Sequence, residues 1–161
     1  MAIEAPISKH KKTNLKIYIG ACILAAVVFA YDGYLSKYKW SKRYSFYKEH
    51  VLDNNGKPTA TMNFNRKSPP VFAAGAILLA AYLLAIRNRK LIAEESELVV
   101  SAKKRIPYQS MEKIDKTYFD SKGFFIVTYK DESGRQVNLK LSDRTYDNLG
   151  AVLEKLVAEI S

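Results

Sequence analysis

The chain has 161 residues, with 26 Lys+Arg against 16 Asp+Glu, a formal net charge of +10, 2 His and 1 Cys. That length suits one domain, or a small domain with an accessory part. Two His and one Cys exclude an all-protein Cys/His zinc centre, and a lone thiol excludes an internal disulfide framework. Apolar residues (48%) and charged residues (26%) are at ordinary levels for a folded protein, but the apolar ones are gathered into two uncharged blocks.

A basic leader, residues 1–16, carries Lys9, Lys11, Lys12 and Lys16. The first uncharged block runs from Ile17 to Tyr31, and its helix reaches membrane length only by continuing past Asp32, so a transmembrane helix is predicted over 17–35. Lys16 suits snorkelling at one end, and Tyr31 and Tyr34 suit the headgroup level at the other. Val28-Phe29-Ala30 also fits the small-residue rule of a secretory cleavage site. The leader is long for a signal peptide and no helix breaker precedes Ala30, so an uncleaved anchor is the expectation and cleavage the alternative.

Residues 36–68 form a basic, aromatic connecting segment. Trp40, Tyr44, Tyr47 and Val51 fall at i, i+4, i+7 and i+11, which predicts an amphipathic helix stopped by Asn54-Asn55-Gly56-Lys57-Pro58. With Lys42 and Arg43 beside it, that stripe suits either an interfacial helix on an anionic bilayer or packing beneath the membrane helices. The second uncharged block, Pro69 to Ile86, ends in Arg87, Arg89 and Lys90 and predicts a transmembrane helix over 69–87, with both prolines in its first turn. Ala21 and Ala25 in the first block, and Gly75, Ala76 and Ala80 in the second, are small residues at helix-packing spacing and predict a close hairpin. No Asp, Glu, Lys, Arg or His lies inside either block, which leaves no candidate proton relay or ion path. Seven basic residues flank the blocks on the side of the termini and eight lie between them, and the expected orientation keeps both termini cytoplasmic.

Residues 90–161 have balanced charge and predict a small α+β domain. Leu98-Val99-Val100 and Met111 to Phe119 are strand candidates. Phe124 to Tyr129 is apolar on both faces, as in a central strand, and Gln136 to Leu141 alternates. The turn Asp131-Glu132-Ser133-Gly134 joins these last two as an antiparallel hairpin. Ser142 or Asp143 is expected to cap a closing helix whose apolar stripe is Leu149, Val152, Leu153, Leu156 and Ile160. The fold class read from the chain is therefore an α+β membrane protein: a transmembrane hairpin with an antiparallel meander closed by an amphipathic helix.

The run Arg105-Ile106-Pro107-Tyr108-Gln109-Ser110-Met111-Glu112-Lys113-Ile114, followed by strand, turn, strand and helix, resembles the second half of bacterial pleckstrin-homology-like (PH-like) domains. The resemblance implies a reduced PH-like tail of about five strands on a small bacterial inner-membrane protein. It also implies that Lys103, Lys104 and Arg105 meet anionic headgroups, against the plainer reading of a solvated turn. His10, His50 and Cys22 sit in no catalytic pattern, so no catalytic, cofactor or metal residues are assigned. The expected function is a membrane-anchored, non-enzymatic interaction or scaffold protein. Its partners would be membrane lipids and a protein partner or a second copy, with no nucleic acid. An anionic-lipid surface module, or an accessory subunit of a membrane enzyme or transport complex, are the alternatives.

Overall fold

The computed structural model describes residues 1–160. Two compact units emerge: Met1–Thr13 together with the chain from Leu84 onward, and Asn14–Leu83.

The first unit is a two-sheet domain. Strands β1 (Ile3–Pro6), β2 (Lys90–Ala93), β3 (Glu97–Ser101) and β4 (Lys104–Pro107) form one antiparallel sheet in sequential order. Strands β5 (Met111–Asp115), β6 (Phe124–Lys130) and β7 (Gln136–Ser142) form a second, with β6 central. That central place explains why Phe124 to Tyr129 is apolar on both faces: Phe125, Val127 and Tyr129 are buried, while Phe124 and Ile126 are half-buried. The closing helix lays Leu149, Val152, Leu153 and Leu156 on a core that also holds Ala5, Leu91, Leu98, Ile106, Met111 and Leu141.

Several expectations are corrected here. The leader is not a tail: Ile3–Pro6 pairs antiparallel with Lys90–Ala93, with Ile3 opposite Ala93 and Pro6 opposite Lys90. Its Ala5 is fully buried. This strand, with β2 and β4, adds three to the four strands read individually and brings the domain to seven, against the about five implied for the tail; the short apolar runs of β1 and β2 carry too little periodicity to be read locally. The Met111–Phe119 candidate ends at Asp115, and Phe119 belongs instead to a single helical turn, α4 (Phe119–Lys122). Gly123 ends that turn at φ 67°, and a Cβ there would meet the Asp143 carboxyl group at 2.0 Å, so glycine is required. The closing helix is Leu149–Ile160; Ser142 ends β7 and Asp143 lies in the turn that follows, so neither caps the helix.

The second unit is a helical hairpin. Helix α1 (Lys9–Ala30) starts eight residues earlier than the uncharged block and continues as a π-helical turn, Tyr31–Leu35. The predicted amphipathic helix shrinks to α2 (Tyr44–Tyr47) with a second π-helical turn, Lys48–Leu52, and Trp40 lies outside both. Helix α3 spans Ala60–Ile86, so Pro69 and Pro70 fall in its interior rather than its first turn. Thr59 provides the earlier start, its Oγ1 accepting from the Met62 amide at 3.4 Å. Renumbering in chain order, the closing helix Leu149–Ile160 is α5.

Tyr108 gives the domain a measurable alkaline limit. Its ring is buried between β4 and β5, and its hydroxyl donates to the Glu94 carbonyl at 2.8 Å. Burial first, then the charges of Glu159, Glu94 and Glu97, push the phenol up to about 12 from 10.0. Because the folded value is raised, this contribution to stability is complete below pH 10 and is lost as pH rises from 10 to 12, where the unfolded chain ionises first. Tyr108→Phe should cost about 1 kcal/mol at pH 8 and flatten the loss of stability between pH 10 and 12, read by chemical unfolding of the full chain in detergent.

Candidate functional site

Polar chemistry collects at the connection of the hairpin. The Ser36 amide donates to the Tyr31 carbonyl at 3.0 Å, the wide turn that carries Asp32 inward until only 8% of it is exposed. A carboxylate so placed needs charged partners. Arg43 supplies a bidentate pair, Nε to Oδ1 at 2.8 Å and a terminal nitrogen to Oδ2 at 2.9 Å, with its guanidinium 4.8 Å above the Phe46 ring. The hydrogen bond to Asp32 holds Arg43 above its ordinary value. Between the two, Ser36 Oγ donates to the Asp32 carbonyl, and Ser41 Oγ donates to the Tyr31 hydroxyl at 3.1 Å while accepting from the Arg43 amide at 3.2 Å. Ser36 and Ser41 are buried, and the turn between them displays Tyr38 and Trp40 outward, stacked at 5.6 Å and 10°. Lys37, Lys39 and Lys42 are exposed around these rings.

The interior prolines of α3 are met by the same connection. A proline removes the amide that would bond the carbonyl four residues earlier, which frees the carbonyls of Asn65 and Arg66. The Tyr34 hydroxyl donates to the Arg66 carbonyl at 2.6 Å, and Arg66 Nε donates to the Gly33 carbonyl at 3.1 Å. Gly33 lies so close that a Cβ would stand 2.7 Å from the Asn65 carbonyl oxygen. His50 serves the same frame: its Nδ1 is 3.1 Å from Thr59 Oγ1, and its ring meets the edge of Phe46.

Along the hairpin, Phe29 packs on Phe72 and Phe64 at 5.5 and 5.3 Å, and a Cβ at Gly75 would stand 3.9 Å from the sulfur of Cys22. Of the predicted packing residues, Ala76 is buried and Ala25, Gly75 and Ala80 are half-buried, whereas Ala21 is exposed and Cys22 occupies the contact.

The domain has its own features. Ser8 is buried and starts α1: its Oγ accepts from the Lys11 amide at 3.1 Å and donates to the Arg144 carbonyl at 2.7 Å, while the Asp147 carboxylate accepts from the Lys9 amide at 3.1 Å. The bonds to Arg144 and from Asp147 span more than 130 residues, so no local pattern reveals them. Of the predicted headgroup residues, Arg105 is engaged by Glu97 and, at 4.0 Å, by Glu94. Lys104 stands 5.4 Å above the Tyr129 ring, and Lys103 is exposed. His10 borders a cleft with Asp120, Lys122, Asp143 and Arg144. A larger groove of about 650 Å³ lies along α5, lined by Phe119, Leu153 and Val157 with Lys116, Asp120 and Glu154 at its rim. The groove therefore combines an apolar floor with exposed side chains of both charge signs. Comparisons with family models, with curated proteins and with solved structures find no match for this chain.

Gly33→Ala places a methyl group against rigid backbone and should destabilise the hairpin by about 1–3 kcal/mol. The expected readout is faster tryptic cleavage at Lys37, Lys39 and Lys42 in the full chain, with the β domain's protection unchanged.

Proposed function

We propose that the protein is a membrane-anchored, non-enzymatic scaffold that presents a PH-like domain at the bilayer surface to a protein partner. The observation that carries this reading is the pairing of β1 with β2, two neighbouring strands separated in sequence by the whole hairpin. Seven strands in a four-stranded and a three-stranded sheet, closed by α5, agree with the PH-like resemblance of residues 105–114 more fully than the tail alone does. The inserted residues contain two segments of 27 residues, Lys9–Leu35 and Ala60–Ile86, with mean hydropathy 1.8 and 2.1. At about 1.5 Å per residue each exceeds the roughly 30 Å hydrocarbon thickness. Only 6% and 17% of their apolar windows are buried within the protein, which favours lipid rather than protein as their surroundings.

Two crossings return the chain to the side on which it began, as the β1–β2 pair requires; the basic count on the two sides is nearly equal, and the short, dense leader with Arg87, Arg89 and Lys90 at the exit of the second span is what favours the cytoplasmic face of a bacterial inner membrane for both termini. The same pair favours retention of the N-terminus, because cleavage after Ala30 would strip β1 from the sheet and uncover Leu91 and Ala93. The groove along α5 is the surface we assign to the protein partner. Its rim carries both charge signs, which favours a specific protein contact over an anionic bilayer.

Two measurements on the full chain test this. The protein should resist alkaline extraction from membranes, with N- and C-terminal tags digested from the same side; tags on opposite sides would refute the hairpin. A stoichiometric partner should co-purify in mild detergent and be lost on Ala158→Arg, which charges the groove without touching the core. Retention of the same partner by that variant would refute the assigned surface.

A further inference from the structure

The turn that joins α1 to α2 displays its most apolar side chains to the outside. Trp40 is 68% exposed and Tyr38 43%, although the buried Ser36 and Ser41 that flank them show that the turn itself is folded rather than loose. Their rings are stacked, and Lys37 Nζ lies 5.1 Å from the Tyr38 ring centre. From Gly33 to Lys48 the chain contains Lys37, Lys39, Lys42, Arg43 and Lys48 and no acidic residue. The structure divides these cations by role. Arg43 is spent internally on Asp32, whereas Lys37, Lys39, Lys42 and Lys48 are exposed.

We infer that this turn is an interfacial anchor for an anionic bilayer, with the Tyr38–Trp40 stack seated at the headgroup level, the lysines on lipid phosphates, and Asp32–Arg43 acting as the positioning pair that holds the turn in shape. The inference rests on the membrane hairpin proposed above. Amphipathic aromatic rings favour the boundary between hydrocarbon and water, and the stack follows directly on the apolar span that closes at Leu35. Charge complementarity selects the occupant: an acid-free cationic turn fits an anionic lipid surface, and each lysine near such a surface strengthens partition about fivefold. Arg43 therefore leaves the set of headgroup contacts that sequence pattern assigns to it, and Tyr38 enters it.

Trp40 is the single tryptophan of the chain, so it reports its own depth. The full chain would be reconstituted into vesicles of zwitterionic phosphatidylcholine alone, or of phosphatidylcholine with phosphatidylglycerol. Flotation after an alkaline wash reads insertion of the hairpin. Trp40 emission, quenching by aqueous acrylamide and quenching by lipids brominated at graded depths read the turn. The expected result is flotation in both vesicle types, with a blue shift, reduced acrylamide quenching and strongest quenching by shallow bromines, all more pronounced with phosphatidylglycerol. Replacing Lys37, Lys39 and Lys42 by Gln should abolish the dependence on phosphatidylglycerol. Arg43→Gln should restore acrylamide access to Trp40 in otherwise floating protein. A chain that floats while Trp40 stays open to acrylamide equally in both vesicle types overturns the anchor and leaves the hairpin standing; a chain that does not float overturns both.

Discussion

Strand β1 reaches its place in the sheet only because residues 7–89 leave the domain and come back to it. The ladder from Ile3–Ala93 to Pro6–Lys90 buries Ala5 and Leu91 side by side, and the Ile7 amide extends it by donating to the Arg89 carbonyl at 3.2 Å. An inserted segment of this length is thermodynamically tolerable, since closure entropy grows only with the logarithm of loop length. The hairpin also lowers that cost, because two packed helices bring the chain back with little remaining freedom. The start of α1 is then held by the domain itself, through Ser8 and Asp147.

At the hairpin connection, buried polarity is resolved by a different device. Asp32 enters a site too dry to leave it alone, and Arg43 answers with two hydrogen bonds while half of its own side chain stays in solvent. A pair with one exposed member contributes modestly to stability, but removing Arg43 would strand a buried carboxylate, which is far costlier. The pair is therefore better understood as a device of conformation than of stability. Gly33, Tyr34 and Arg66 complete it by closing over the backbone that Pro69 and Pro70 leave unpaired.

The groove along α5 and the cationic aromatic turn differ in chemistry, and that difference separates their proposed occupants. One has an apolar floor and a rim of both signs, suited to the side chains of another protein. The other has cations only, arranged about two stacked rings, suited to phosphates over hydrocarbon.

The amino-acid order alone determined the elements whose periodicity is strong and local. The two apolar spans, the β6–β7 hairpin with its Asp131–Gly134 turn and the stripe of α5 were all legible, because each buries one continuous face or set of faces. Tertiary structure decided what depends on partners far away in sequence. Ile3–Pro6 is a strand because β2 offers an open edge, not because four residues favour it. Residues 60–68 are helical despite their polarity because Thr59 caps them and the connection packs over them. Arg43, read as a lipid contact from its place in a basic run, is paired with Asp32, and Trp40 leaves the helical stripe when the π-helical turn after Ala30 redirects the chain. Local pattern records which face of an element is apolar; which distant group satisfies a buried carboxylate, a freed carbonyl or an unpaired strand edge is settled only when the chain closes on itself.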